Sequence, residues 1–129
     1  MQTAGIHHLG LAVADLDATA AFFIDCLGWT LAREVPDYPA KFVTNGDAFL
    51  TLWQTDAGAT PFDRKANVGL HHVAIRVKEQ ADMQPLFETV QAWPGVRVDF
   101  APEPLRGGPA MHCMVFEPGG IRIEFIWVS

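Results

Sequence analysis

The chain has 129 residues, 50% of them hydrophobic and 19% charged, which is enough apolar material for one domain with a sizeable core and excludes disorder over most of its length. With 15 acidic against 9 basic residues the formal net charge is −6, so nothing in the overall balance draws the chain to a nucleic-acid backbone or an anionic membrane surface. Cys26 and Cys113 are the only cysteines, too few to staple a domain that can build a core, and both are expected as thiols. No basic leader precedes an apolar run, and no window approaches the roughly 18 uninterrupted apolar residues of a membrane helix; the expectation is a cytoplasmic protein.

The first predicted element is a strand, Gly5-Ile6-His7-His8-Leu9-Gly10-Leu11-Ala12-Val13. It reappears later as Gly69-Leu70-His71-His72-Val73-Ala74-Ile75-Arg76-Val77, an internal repeat that organises the chain. After Val13, Asp15-Leu16-Asp17 opens an apolar helix containing Phe22, Phe23, Cys26 and Leu27, which Gly28 stops. Three β-prone runs follow at 29–35, 40–44 and 48–55, the last two separated by the turn Asn45-Gly46-Asp47. Residues 56–68 are polar and carry Gly58 and Pro61, the signature of a linker.

The second copy repeats this order. Asp82 precedes Met83, Leu86, Phe87 and Val90 at helical spacing, Pro94-Gly95 ends the run, and strands are expected at 96–100, 110–116 and 121–128, with Glu117-Pro118-Gly119-Gly120 between the last two. The predicted class is therefore α+β: one domain over 1–129 made of two β-α-β-β-β modules, 5–55 and 69–128. Each module is too small to bury enough surface comfortably alone, so the two are expected to pair into curved sheets around a cleft, within one chain or between chains.

Strand alternation sorts the side chains. Leu9, Leu11 and Val13 form the face that lies on the helix, leaving His8, Gly10 and Ala12 on the open side. Likewise Val73, Ile75 and Val77 oppose His72, Ala74 and Arg76. On the last strand Ile121, Ile123 and Phe125 are core, while Arg122, Glu124 and Ile126 are open. Aligning the two final turns makes Thr51 the repeat partner of Glu124, flanked by Phe49 and Trp53. On the preceding strand either phase is apolar enough to be core, so alternation alone does not orient His112 and Cys113.

His8, His72 and Glu124 thus project onto one apolar surface, where an uncompensated carboxylate is costly. A divalent metal ion compensates it, and a His, His, Glu set leaves open coordination positions, as in non-haem iron oxygenases and some catalytic zinc sites. Fe2+ is favoured, with Zn2+, Ni2+, Mn2+ and Co2+ as alternatives. His7 and His71 fall on the core face or its rim and are read as structural, or as ends of strands reaching solvent. Arg76 and Arg122 either bind an anionic substrate group, pair with carboxylates or sit exposed at a strand end. Cys113 and His112, as strand neighbours, point apart and cannot form an activated thiol pair. Arg106-Gly107-Gly108-Pro109 lacks the ending of a phosphate loop and is expected as a mobile loop near the cleft mouth; Tyr38, between Pro36 and Pro39, carries little information.

At His8-Leu9-Gly10-Leu11-Ala12-Val13 with Asp15-Leu16, at Gly69-Leu70-His71-His72-Val73-Ala74-Ile75 and at Glu117-Pro118-Gly119-Gly120-Ile121-Arg122-Ile123-Glu124, the chain resembles the vicinal oxygen chelate superfamily. That group contains glyoxalase I, extradiol dioxygenases, methylmalonyl-CoA epimerase, fosfomycin-modifying enzymes and bleomycin-binding proteins. The resemblance covers nearly the whole chain. It implies metal ligands at His8, His72 and Glu124, a small-molecule substrate and a homodimer. It also implies that His112 and Met114 face the cleft and Cys113 the core, which makes His112 the available acid or base.

Three departures from the family pattern matter. Thr51 stands where glyoxalase I carries a fourth ligand, Gly10 where fosfomycin enzymes carry Thr, and Met114 where the dioxygenases usually carry Tyr. The expectation is a metal-dependent enzyme that binds a small oxygen-chelating substrate against Phe49, Thr51, Trp53, Met114, Arg122 and Ile126, leaning to extradiol-type ring cleavage. A glyoxalase-like lyase or isomerase, or a non-catalytic antibiotic-binding protein, is the alternative.

Overall fold

In the computed structural model, which describes residues 1–129, Leu9–Val13 forms strand β1. Bulky and small residues alternate along it: Leu11 and Val13 are buried, Gly10 and Ala12 exposed. Helix α1 (Leu16–Ala21) starts where Asp15 accepts the backbone N–H of Ala18 at 3.0 Å, satisfying one of the unpaired donors of a helix start. The turn is clamped from β4 (Phe49–Gln54): the Gln54 side chain accepts the Leu16 N–H at 2.9 Å and donates to the Ala14 carbonyl at 2.7 Å. The helix then widens into a π turn at Phe22–Cys26. The sequence reading gave one uninterrupted helix; the wider turn accommodates two consecutive fully buried rings, Phe22 and Phe23, with Phe23 packed against Trp29 at 5.1 Å. Strands β2 (Thr30–Val35) and β3 (Ala40–Thr44) complete a four-stranded mixed sheet in the order β1-β4-β3-β2.

The second unit repeats the topology, with β5 (Val73–Arg76), α2 (Met83–Gln91), β6 (Arg97–Pro104), β7 (Met111–Phe116) and β8 (Arg122–Trp127) in the sheet order β5-β8-β7-β6. Its core is the apolar face of α2, where Met83, Phe87 and Val90 are buried, against Cys113, Val115, Ile123 and Phe125; each such side chain contributes about 1.5–3 kcal/mol through burial. β6 runs past the expected end at Phe100 and includes Pro102 and Pro104. It is an edge strand with two irregularities in its pairing, the place where a sheet tolerates proline.

The chain divides at 59/60, so the second half of the expected linker folds with the second module. There Asp63 and Asn67 close a turn on themselves, and the Phe62 ring packs over Gly69. The segment at 105–107 is a short helical turn. Both cysteines are free thiols, and no helix is long and apolar enough to cross a membrane.

Candidate metal centre

The last turn of the second module fixes the phase of β8. Glu117, only 1% exposed, accepts the backbone N–H groups of Gly119 at 2.8 Å and Ile121 at 3.0 Å. A buried carboxylate accepting backbone donors is a strong local constraint. Beyond it, Ile123 and Phe125 go into the core, and Glu124 lies on the opposite face in one row with Ala74, its partner on β5, and Met114, its partner on β7.

Glu124 is 8% exposed, and each carboxylate oxygen meets an imidazole. Oε2 lies 3.0 Å from His72 Nε2, and Oε1 lies 3.2 Å from His112 Nδ1. No Lys or Arg pairs with this carboxylate, and the two imidazoles are its side-chain partners. His112 is held further by Phe100, at 4.9 Å between ring centroids, and its Nε2 lies 3.9 Å from Glu103. His72 and His112 contact different oxygens, and the three side chains do not by themselves enclose a common ion position.

His72 Nδ1 also contacts His71 Nδ1 at 2.8 Å, and the first module has the same arrangement between His7 and His8 at 2.8 Å. Two facing imidazole nitrogens bond when one donates and the other accepts. His71 therefore supports His72 in either tautomer, including the one that leaves the Nε2 lone pair free for a cation. His7 and His71 are both exposed where the chain enters β1 and β5, the solvent-reaching strand ends rather than the core face, and they engage the candidate ligands. Their duplication beside His8 and His72 was the signal that could have identified them. The His71 imidazole is held below its usual range, by loss of surrounding water and then by the positive charges of Arg122, His72 and Arg64.

In the first module His8 is exposed at the entry to β1, with its Nε2 unengaged. The register pairs Gly10 with Thr51 as it pairs Ala74 with Glu124, so Thr51 is the repeat partner of Glu124. Thr51 is 4% exposed, and its hydroxyl accepts the Trp53 indole N–H at 2.9 Å. Any side chain at Gly10 would crowd that hydroxyl at 3.2 Å. Phe49 and Trp53 both pack on Phe42, and Tyr38 lies on Trp53 at 5.1 Å, which gives that tyrosine a place in an aromatic wall.

Among the other expected site residues, Met114 and Ile126 share the face of Glu124, in the rows that include Phe100 and His112. Arg122 is paired: its Nε and Nη2 donate to Asp99 at 3.1 and 2.9 Å. Cys113 points into the core, 3.9 Å from the Met83 sulfur, and burial pushes its thiol up to about 11, the state of an inert structural cysteine.

Residues 5–125 match the model of the Glyoxalase/Bleomycin resistance protein/Dioxygenase superfamily. The chain is 31% identical over 128 residues to lactoylglutathione lyase of Haemophilus influenzae, covering 94% of this chain and 90% of that protein. It is 30% identical over 129 residues to a probable chloroplastic lactoylglutathione lyase of Arabidopsis thaliana, covering 92% of this chain but only 34% of that much longer relative. A glyoxylase/bleomycin resistance protein/dioxygenase domain from Frankia superposes with a TM-score of 0.79 at 22% identity, over 99% of this chain and 94% of that one. By sequence over nearly its whole length, and by a duplicated fold shared with a solved relative, the chain belongs to the Glyoxalase/Bleomycin resistance protein/Dioxygenase superfamily.

Proposed function

We propose that the protein is a divalent-metal-dependent enzyme acting on a small oxygen-chelating substrate by proton transfer, in the manner of a glyoxalase-like lyase or isomerase. The observation that carries this reading is the buried Glu124 carboxylate held between His72 Nε2 and His112 Nδ1 with no guanidinium or ammonium partner. A carboxylate oxygen beside an imidazole nitrogen, the second imidazole nitrogen braced by a neighbour, is a donor set that suits a divalent cation. His72 and Glu124 are two ligands, and His8, with its Nε2 open, is the third. It is supplied by the same chain or by the first module of a second copy in a homodimer.

When bound, the ion supplies Lewis acidity toward oxygens of the substrate on which charge develops. With its Nδ1–H hydrogen-bonded to Glu124, His112 keeps the Nε2 lone pair to accept a substrate proton and return it; imidazoles are the side chains that exchange protons near neutrality. Met114 and Ile126, with Phe49 and Trp53, bound the substrate with apolar surface, while Thr51 contributes a hydroxyl already committed to Trp53.

Two relatives named lactoylglutathione lyase support proton-transfer chemistry over the ring-cleavage expectation. The ring-cleaving reading with Fe2+ keeps one observation in its favour: Thr51 offers no carboxylate as a fourth ligand, so the proposed ligand set stays His, His, Glu. Elemental analysis of protein purified anaerobically without chelator or affinity tag, followed by a hemithioacetal and catechol activity screen, tests both. Near-stoichiometric metal, lost in His8→Ala, His72→Ala and Glu124→Ala alike, is expected. Metal-free protein that still binds flat aromatic ligands would replace the enzyme with a sequestering protein.

A further inference from the structure

The second module holds a recess of about 330 Å³ to which Arg64, Arg97, Arg122, His71, Phe62 and Phe116 all contribute. Sheet register explains the clustering. Arg97 on β6 pairs with Phe116 on β7, which pairs with Arg122 on β8, so two guanidiniums flank one ring across three strands. The Arg97 guanidinium carbon lies 4.0 Å from the Phe116 ring centroid, and that of Arg64, from the turn before β5, lies 5.8 Å from it. Stacking on an aromatic face orients a guanidinium without using its N–H donors.

Two carboxylates also line the recess, and both are engaged. Asp99 takes Nε and Nη2 of Arg122 at 3.1 and 2.9 Å, and Asp63 accepts the backbone N–H of Lys65 at 2.8 Å. Arg64 and Arg97 have no carboxylate partner; the ion pairs of the chain involve Lys41, Arg122 and histidines. The corresponding row of the first module is Thr30, Thr44 and Phe49. The first module is therefore built without charge at these positions, and in the second Arg64 and Arg97 keep guanidinium donors that no carboxylate takes.

We infer that this recess is an oxyanion subsite that takes the carboxylate or phosphate group of a small substrate, gripped by Arg64 and Arg97 beside the Asp99-fixed Arg122. His71 joins it to the candidate centre, since it lines the recess and contacts His72 at 2.8 Å. That the anion belongs to the substrate rests on the metal-centre reading; that the recess binds anions does not.

The test uses metal-stripped full-length protein in low-salt buffer, titrated separately with inorganic phosphate and with benzoate, by calorimetry and by NMR of the arginine Nε–H groups. Saturable binding of one equivalent is expected, weakened about tenfold or more by Arg97→Gln and by Arg64→Gln, weakened by added salt, and unchanged in Glu124→Gln. Tighter phosphate than benzoate assigns a phosphorylated substrate, and the reverse a carboxylate. Absence of saturation by either anion, binding indifferent to both arginine substitutions, or binding that needs added metal and intact Glu124 would each overturn the proposal. Anion binding in a protein that never acquires metal would keep the subsite and remove the metal centre.

Discussion

The row Gly10, Thr51, Phe42 in the first module and the row Ala74, Glu124, Met114 in the second occupy the same sheet positions, one strand apart at each step. One row further along, Ala40 corresponds to His112. Thus the carboxylate and the imidazole that meet at 3.2 Å in the second module are a hydroxyl and a methyl in the first, while the His-His entry to the leading strand is kept in both. Duplication supplied two equal platforms. Only one carries the buried carboxylate–imidazole contact and the arginine-lined recess, whereas the other carries an exposed imidazole pair and an aromatic wall. Chemistry in this molecule is loaded asymmetrically onto a symmetric backbone.

The sharpest way to break that comparison is to remove the partners in turn. Glu124→Ala removes the carboxylate that His72 and His112 both contact, and metal content and turnover are expected to fall to background, a loss of at least about 10³ in rate. Thr51→Val removes one neutral hydrogen bond to Trp53, worth about 1 kcal/mol, and should leave metal content intact. Equal losses from both substitutions, measured by elemental analysis and turnover, would mean the modules share the load.

The paired histidines test the feature the modules have in common. His71→Phe and His7→Phe keep ring volume and abolish the nitrogen contact to His72 and His8. Each should weaken metal affinity about 10–100-fold while leaving the melting temperature nearly unchanged, as measured by competition with a fluorescent chelator. An effect confined to His71→Phe would show that only the second module supports its ligand in this way.

The final turns of the two sheets differ in the same sense. Asn45 accepts the N–H groups of Asp47 and Ala48 at 3.0 and 2.8 Å in an exposed turn, whereas Glu117 does the equivalent work while buried. Glu117→Ala should therefore cost about 2–3 kcal/mol and Asn45→Ala about 1 kcal/mol or less, read from urea unfolding. Similar costs would remove burial as the reason for the acidic residue in that turn.

Much of this was legible in the sequence because strand alternation has a period that a repeat cannot disguise. The duplication fixed eight strands to within a few residues, the face of Glu124 and its correspondence with Thr51. What alternation could not resolve was set by contacts between elements, which side-chain order along one strand does not encode. Cys113 and His112 are both plausible core residues by alternation; the family resemblance turns His112 to the cleft, and the packing of Met83 on Cys113 and the contact of His112 with Glu124 agree with it. The grouping of Arg97 and Arg64 is hidden for the same reason, since their common neighbour Phe116 belongs to neither one's segment. The histidines before each strand were assigned by extending alternation beyond the strand ends, where β1 and β5 begin at Leu9 and Val73 and the rule no longer applies.

The smallest expected contrast lies at the positions of Cys113 and its counterpart Lys41, which pair with Phe125 and Leu52 on equivalent strands. Burial holds the Cys113 thiol neutral up to about 11, against an ordinary value of 9.0. In the unfolded chain the thiol ionises first, so the folded form binds more protons through this interval and stability declines as pH rises from about 9 to about 11. Lys41 is raised by its hydrogen bond to Asp17 at 2.8 Å, so its contribution is complete below 10.5 and is lost as pH climbs through the raised value. Both erode at alkaline pH, but the exposed Lys41–Asp17 pair is screened by water and contributes little. Urea midpoints measured at pH 8, 9, 10 and 11 should therefore flatten in Cys113→Ala and hardly change in Lys41→Met. Thiol titration of native protein at pH 8 should leave Cys113 unmodified until denaturant is added; prompt labelling would show that the second module opens at a residue its sheet keeps fully covered.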